Sequence, residues 1–338
     1  MNPSRKVISW SRQIVGFPTL LLSLVRDQVA IPLLVNSVPG LGGEVLCGPR
    51  RWYPANVMRI FILIVSAVAA LAADRAVDAT YLRRNINKVT AQADELSAPG
   101  CQYRPVFGAG DADSRIVRGV ARFGLVQLTP ASSCSTVSYA REEQIYFVLS
   151  GRGQVLYNGE KHPIQKDDFL YLPPGVSHGL SASSGGALDV VVMGYKVPAG
   201  ADLKIPAKLQ IANLSEVKKQ VVGNHPPSTL YQLMVGDTKS TRDRLSTGHV
   251  ITSLFIMEIT PDGTNSPHHH DREEEIYLLL DGTGDMVAGG GMDGVEGRHP
   301  SKPGDAFFIR LNGTVGFYNT GKTTAHILAI RSLYPFGK

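Results

Sequence analysis

Past Arg59 the chain carries no surplus of charge of either sign. The formal net charge is +5. Residues 1–57 supply +4 of it, with Arg5, Lys6, Arg12, Arg26, Arg50 and Arg51 against Asp27 and Glu44, and Arg59 supplies the rest. A neutral body lacks the electrostatic footprint that a phosphate backbone demands, which excludes nucleic acid as a partner. An apolar run long enough to cross a bilayer is missing as well. The run that follows Met58-Arg59, Ile60 to Ala73, is too short to span as a helix. Its basic start, apolar middle and small residues at Ala70-Leu71-Ala72 instead follow the grammar of a secretory signal peptide. Such a signal belongs at a terminus. Met58 is therefore read as the true start, 1–57 as an upstream leader or translated non-coding stretch, 58–72 as the signal, and Ala73 as the neighbourhood of the mature N-terminus. That reading implies a secreted or periplasmic protein with no stable membrane span. The alternative is a cytoplasmic or membrane-associated protein whose N-terminus, with Phe17–Val25 and Ala30–Val35, touches a membrane. Cysteine is scarce: Cys47 falls in the leader, and only Cys101 and Cys134 remain. An oxidising compartment would let these two bridge; otherwise they pack as small hydrophobes.

What the chain has in quantity is turn formers. Its 35 glycines and 21 prolines, with 43% apolar and 19% charged residues over 338 positions, suit many short strands and allow two domains with cores of their own. An internal repeat organises it. At an offset of 131, Leu128-Thr129-Pro130 falls on Ile259-Thr260-Pro261, Arg141-Glu142-Glu143 on Arg272-Glu273-Glu274, Ile145-Tyr146 on Ile276-Tyr277, and Gly151 and Gly153 on Gly282 and Gly284. Weaker echoes set Asn85-Ile86-Asn87-Lys88-Val89 beside Asn213-Leu214-Ser215-Glu216-Val217. Within each unit, short apolar runs such as Ile145–Leu149 and Ile276–Leu280 end in turn dipeptides and read as buried strands. These patterns place one unit at 73–197 and the other at 231–338, with 198–230, rich in proline, as the passage between them. Asn213 and Glu216 predict a capping box on one short helix there.

The densest cluster of metal-ligating side chains is His268-His269-His270 followed by Glu275. On a strand, residues i and i+2 share a face, so His268 and His270 point together while His269 points away. A carboxylate returning on the next strand completes a facial set of two imidazoles and one carboxylate, which suits a divalent transition metal with open positions. His269, Glu273 and Glu274 read as opposite-face or surface residues. His162, His225, His249 and His299 sit in turn-like surroundings without a ligand pattern, and Tyr277 and Phe307 read as core aromatics.

The spacing His268, His270, Glu275 and Gly282 resembles the first motif of the cupin superfamily, His-x-His, four residues, Glu, six residues, Gly. The family's second motif is matched in the first unit by Asp168, Pro173, Gly175 and His178, and in the second by Gly304-Asp305 and Asn319, with Val315 where a fourth ligand histidine would stand. In the first unit Val137, Tyr139 and Gln144 occupy the first-motif ligand positions, so His178 reads as a pocket or core histidine. His326 is a candidate substitute for the missing ligand. The resemblance implies a bicupin: all-β, two tandem double-stranded β-helix (jelly-roll) barrels, the N-terminal one degenerate. It also implies one divalent transition metal (Fe, Mn, Zn, Ni or Cu, not distinguished) held by His268, His270 and Glu275. The leading expectation is a mononuclear-metal enzyme of dioxygenase type acting on a small polar or aromatic substrate. The alternatives are a metal-dependent hydrolase, decarboxylase or isomerase, and a non-enzymatic protein that captures a carbohydrate or organic acid. Catalytic residues beyond the metal ligands, and whether the chain forms a homo-oligomer, stay open.

Overall fold

The computed structural model describes residues 79–113, 115–290 and 296–333, so the readings on residues 1–73 lie outside the described residues. In chain order the strands of the first half are β1 (Tyr81–Asn85), β2 (Cys101–Gly108), β3 (Val120–Leu128), β4 (Glu142–Ser150), β5 (Arg152–Tyr157), β6 (Glu160–Gln165), β7 (Asp168–Leu172), β8 (His178–Ala182), β9 (Leu188–Lys196) and β10 (Gln210–Asn213). Those of the second are β11 (Lys219–Gln220), β12 (Thr229–Asp237), β13 (Leu245–Gly248), β14 (Ile251–Ile259), β15 (His268–His269), β16 (Glu273–Asp281), β17 (Gly284–Gly289), β18 (Gly297–Ser301), β19 (Asp305–Ile309), β20 (Thr314–Tyr318) and β21 (Ala325–Leu333). One barrel pairs the sheet β10-β7-β4-β9-β3-β2 with β6-β5-β8. The other pairs β1-β19-β16-β21-β14-β12-β11, with β13 beside β12, with β15-β20-β17-β18. The all-β architecture is the one the turn-rich sequence predicts, and no helix of the described residues is long and apolar enough to cross a membrane.

The central strands are apolar without alternation because both of their faces are buried. On β4, Tyr146 and Val148 fill the interior of the first barrel, and on β16, Tyr277 and Leu279 fill that of the second. Their neighbours Ile145, Phe147, Ile276 and Leu278 share a third apolar cluster where the two large sheets pack against each other, with Phe107 and Phe308 at ring centroids 6.0 Å apart across it. Burying one such side chain contributes roughly 1.5–3 kcal/mol. Cys101 and Cys134 are joined in a disulfide inside the first barrel. Closing a loop of sequence separation 33 contributes roughly 3–4 kcal/mol through the unfolded state.

Two strands cross between the barrels. Strand β1 pairs antiparallel with β19 of the second barrel, and β10 pairs with β7 of the first. The weak echo between Asn85 and Asn213 thereby acquires a structural meaning. Asn85 Nδ2 donates to Asp305 at 2.8 Å, and Asn213 Nδ2 donates to Asp168 at 2.7 Å. Each second-motif aspartate, Asp168 in the first barrel and Asp305 in the second, anchors the visiting strand. Asn213 also caps the short 3-10 turn Leu214–Glu216, with Ser215 N donating to its side chain and Glu216 accepting from its backbone, the box predicted.

A pair of buried carboxylates related by the same 131-residue offset lies at the junction. Glu143, fully buried, accepts from the backbone N–H groups of His249 (2.8 Å), Val250 (2.7 Å) and Ile251 (2.6 Å) and from the Tyr171 hydroxyl (2.9 Å). Glu274, expected on the surface, is 2% exposed instead and accepts from Gly119 N at 3.2 Å. The correction has a physical cause: each glutamate meets main-chain donors of the opposite barrel, so its partners are invisible to local sequence patterning.

Candidate metal centre

The second barrel brings His268, His270 and Glu275 together, with one ligand atom from each within 4.8 Å of the others. Strand β15 presents His268 inward and leaves His269 on the exposed side, where it faces Asp271 at 3.4 Å. Glu275 starts the inner face of β16 and is 2% exposed. His270 Nε2 lies 3.4 Å from a Glu275 oxygen, and the His268 and His270 rings stand at right angles with centroids 4.9 Å apart. Burial lowers the pKa of His268, which keeps it neutral and able to ligate.

Whether these residues fit a cation can be judged from the polar atoms left without partners. His270 Nε2 and both Glu275 carboxylate oxygens are buried and make no hydrogen bond. Buried polar groups are nearly always hydrogen-bonded, and leaving a buried carboxylate without hydrogen bonds is costly, so a bound cation would account for all three atoms at once. The other ring nitrogens are already spoken for. His268 Nδ1 meets the Ser266 carbonyl at 2.9 Å, and His270 Nδ1 lies 3.5 Å from Glu273, which is itself bound to Arg331 at 3.2 Å. Outer partners of this kind fix the tautomer that offers Nε2. Glu273, read from the sequence as an opposite-face or surface residue, lies instead beside His270.

Val315 is 1% exposed and sits directly across from His268 in the β15–β20 register, where the motif would place a fourth ligand. His326 does not replace it. Its ring is held at the far end of β21 between Asp281 (2.7 Å) and Glu258 (3.6 Å). His225, which carried no signal in the sequence, does reach the cavity: its ring centroid lies 5.1 Å from that of His268. The cavity holds about 200 Å³ and is also lined by Tyr231, Ser253, Arg242 and Arg331.

The corresponding place in the first barrel is closed. His178 Nδ1 meets the Val176 carbonyl at 3.0 Å and Nε2 the Tyr146 hydroxyl at 3.1 Å, so both nitrogens are used. Val137 bridges to His178 through the backbone, and Arg122 stacks over the Tyr139 ring at 3.8 Å. Burial lowers the His178 pKa to about 4. His178→Ala is expected to leave metal content unchanged, as elemental analysis of the purified variant would show. It should also flatten an acid limb of stability. Unfolded, this histidine binds a proton near its ordinary value of 6.5, whereas the native one resists down to about 4, so native stability falls as pH drops through that window. Loss of half the metal would reveal a second site.

A model of the cupin domain matches residues 124–194 and 255–331. An uncharacterised protein of Methanocaldococcus jannaschii is 26% identical over 91 residues, 27% of this chain and 73% of that protein. Among solved structures, a Pseudomonas aeruginosa protein designated as glyoxylate-induced superposes with a TM-score of 0.60 at 15% identity, covering 79% of this chain and 94% of that one. The protein YlbA of E. coli gives 0.56 at 16% (78% and 96%), and oxalate decarboxylase of Lactobacillus farciminis, in its formate complex, gives 0.54 at 14% (75% and 86%). At these identities the structures bear on fold alone, and they span both barrels. With two matches to the cupin domain and two barrels of one design, the chain belongs to the cupin superfamily and is a bicupin.

Proposed function

We propose that the second barrel binds one divalent transition metal through His268, His270 and Glu275 and acts there on a small carboxylate, most plainly by decarboxylation. The observation that carries the substrate class is the set of unpaired donors facing the triad. Tyr231 Oη, Ser253 Oγ and Arg331 Nε are buried without hydrogen-bond partners, and Arg331 Nε stands 4.0 Å from Glu275. Arg242, whose Nε meets Asp243 at 3.4 Å, lines the same cavity, so two guanidinium groups border it. Guanidinium and hydroxyl donors around one cavity suit a carboxylate. At about 200 Å³ the cavity is smaller than the roughly 300–1,000 Å³ of sites that take drug-sized ligands, which favours a molecule of few heavy atoms over an aromatic one.

When bound, the metal would supply Lewis acidity toward the substrate oxygens. Arg331 and Arg242 would hold the carboxylate by charge, and Tyr231 and Ser253 would take up its remaining acceptors. Phe255 and Leu233 wall the cavity with apolar surface, which lowers the local dielectric and strengthens those contacts. The structural likeness to oxalate decarboxylase supports this reading through fold. The two-His, one-carboxylate set equally suits the oxygen chemistry of a dioxygenase, which keeps that reading second.

Manganese-loaded protein incubated with two- to four-carbon carboxylates is expected to release carbon dioxide without matching oxygen uptake, with Arg331→Met raising KM. Stoichiometric oxygen consumption would favour the dioxygenase. Turnover of neutral or aromatic substrates alone would overturn the carboxylate assignment. Export is proposed as well: the Cys101–Cys134 bridge is of the kind that persists in oxidising compartments, which supports reading 58–72 as a signal.

A further inference from the structure

We propose that His225 is the fourth protein ligand of this centre, supplied by the segment between the barrels in place of the histidine that Val315 displaces. The inference rests on the reading that His268, His270 and Glu275 bind a metal.

The chain has nine histidines, and their hydrogen bonds sort them. His178 and His249 have both ring nitrogens engaged: His249 meets the Tyr171 hydroxyl at 3.1 Å and accepts from Lys204 N at 2.8 Å. His326 lies between two carboxylates, His269 is exposed, and His162 and His299 are in other parts of the fold, on β6 and β18. Only His225, His268 and His270 line the cavity, and these three share one arrangement. In each, Nδ1 faces an oxygen: the Asn265 carbonyl for His225, the Ser266 carbonyl for His268, and the Glu273 carboxylate for His270. A nitrogen facing a carbonyl must carry the proton, so in the neutral tautomer of His225 and of His268 the nitrogen left for a ligand bond is Nε2. Among the described residues nothing hydrogen-bonds to Nε2 of His225. This is how ligating imidazoles are prepared, with the outer nitrogen anchored and the inner one free.

Ring spacing agrees. Two imidazoles bound to one ion at about 2.1 Å, subtending about 90–110°, have centroids about 4.6–5.3 Å apart. The His268–His270 separation is 4.9 Å and the His225–His268 separation 5.1 Å. His225 is not part of the 4.8 Å set, so binding draws the turn at residues 222–225 inward over the cavity mouth. That turn lines the cavity, and a Cβ placed on Gly223, at φ +55°, would meet nothing within 4 Å.

The test uses the purified chain with Zn(II) for affinity, by competition against a chromophoric chelator, and with Cu(II) for pulsed EPR, which counts coordinated imidazoles. Wild type is expected to show three imidazoles. His225→Ala should show two and bind Zn(II) about tenfold to a hundredfold more weakly, while melting in chelator at the wild-type temperature. His225→Ala/Val315→His should return the count to three. If wild type binds no metal, the centre itself is refuted. If wild type binds but His225→Ala keeps its affinity, or loses affinity with the imidazole count unchanged at two, the centre stands and the fourth-ligand assignment fails.

Discussion

Glu143→Ala is expected to lose at least about 4 kcal/mol of unfolding free energy, enough to remove a large part of the stability of most domains. The substitution leaves four donors buried: the N–H groups of His249, Val250 and Ile251, and the Tyr171 hydroxyl. Each stranded donor costs about 1–3 kcal/mol, and the void left by the side chain adds to that. Equilibrium denaturation in urea measures the effect, and a loss below about 1 kcal/mol would show that the carboxylate is not what joins the barrels. Glu274 is the internal control. It occupies the equivalent place but accepts fewer bonds, one of its oxygens has no partner, and desolvation pushes its pKa up to about 7. A carboxyl whose native pKa is raised favours the protonated native state. Its contribution is therefore fully present below the unfolded value and is lost as pH rises through about 7. Glu274→Gln, which mimics the protonated form, should flatten that slope and cost little at neutral pH. The two glutamates, alike in sequence context, thus separate by how many main-chain donors the opposite barrel offers.

That contrast shows what the sequence could and could not disclose. The two barrels were legible because a 131-residue repeat carries the same strand and turn residues twice, and because His268, His270 and Glu275 lie within eight residues of one another, close enough for strand periodicity to set their directions. The loss of a site in the first barrel was equally readable from Val137, Tyr139 and Gln144. Glu143 and Glu274 were not, since an acidic residue beside an apolar strand reads as solvated unless its partners are known, and here the main-chain donors lie 106 to 108 residues away for Glu143 and 155 for Glu274. His225 escaped for the same reason. It sits in a passage rich in proline and glycine with no strand period to aim it, and its partner carbonyl is 40 residues on. The crossing of β1 and β10 showed only as a faint echo, because four or five residues pairing with a distant edge need little more than an asparagine to anchor them.

The strongest test of the ligand assignment is the contrast among three neighbouring positions. A cation that binds the native state preferentially stabilises it by about 2.7 kcal/mol at a hundredfold excess over Kd, which for a protein of this size corresponds to a rise of roughly 4–5 °C in Tm. Chelation should remove that increment. His268→Ala and Glu275→Ala should each abolish both metal content and the response to chelator, and Glu275→Ala should raise the melting temperature of the metal-free form, since it deletes a buried carboxylate whose oxygens accept no hydrogen bond. His269→Ala should keep metal and response alike, because its ring is exposed and engaged only with Asp271. The β15–β20 register sharpens the expectation: His268 faces Val315 and His269 faces Thr314, so Val315→His adds an imidazole beside the centre and should tighten binding, whereas Thr314→His should not. If His269→Ala removes the metal and His268→Ala does not, the pairing of these strands is displaced by one residue, and both the triad and the role of His225 fall with it.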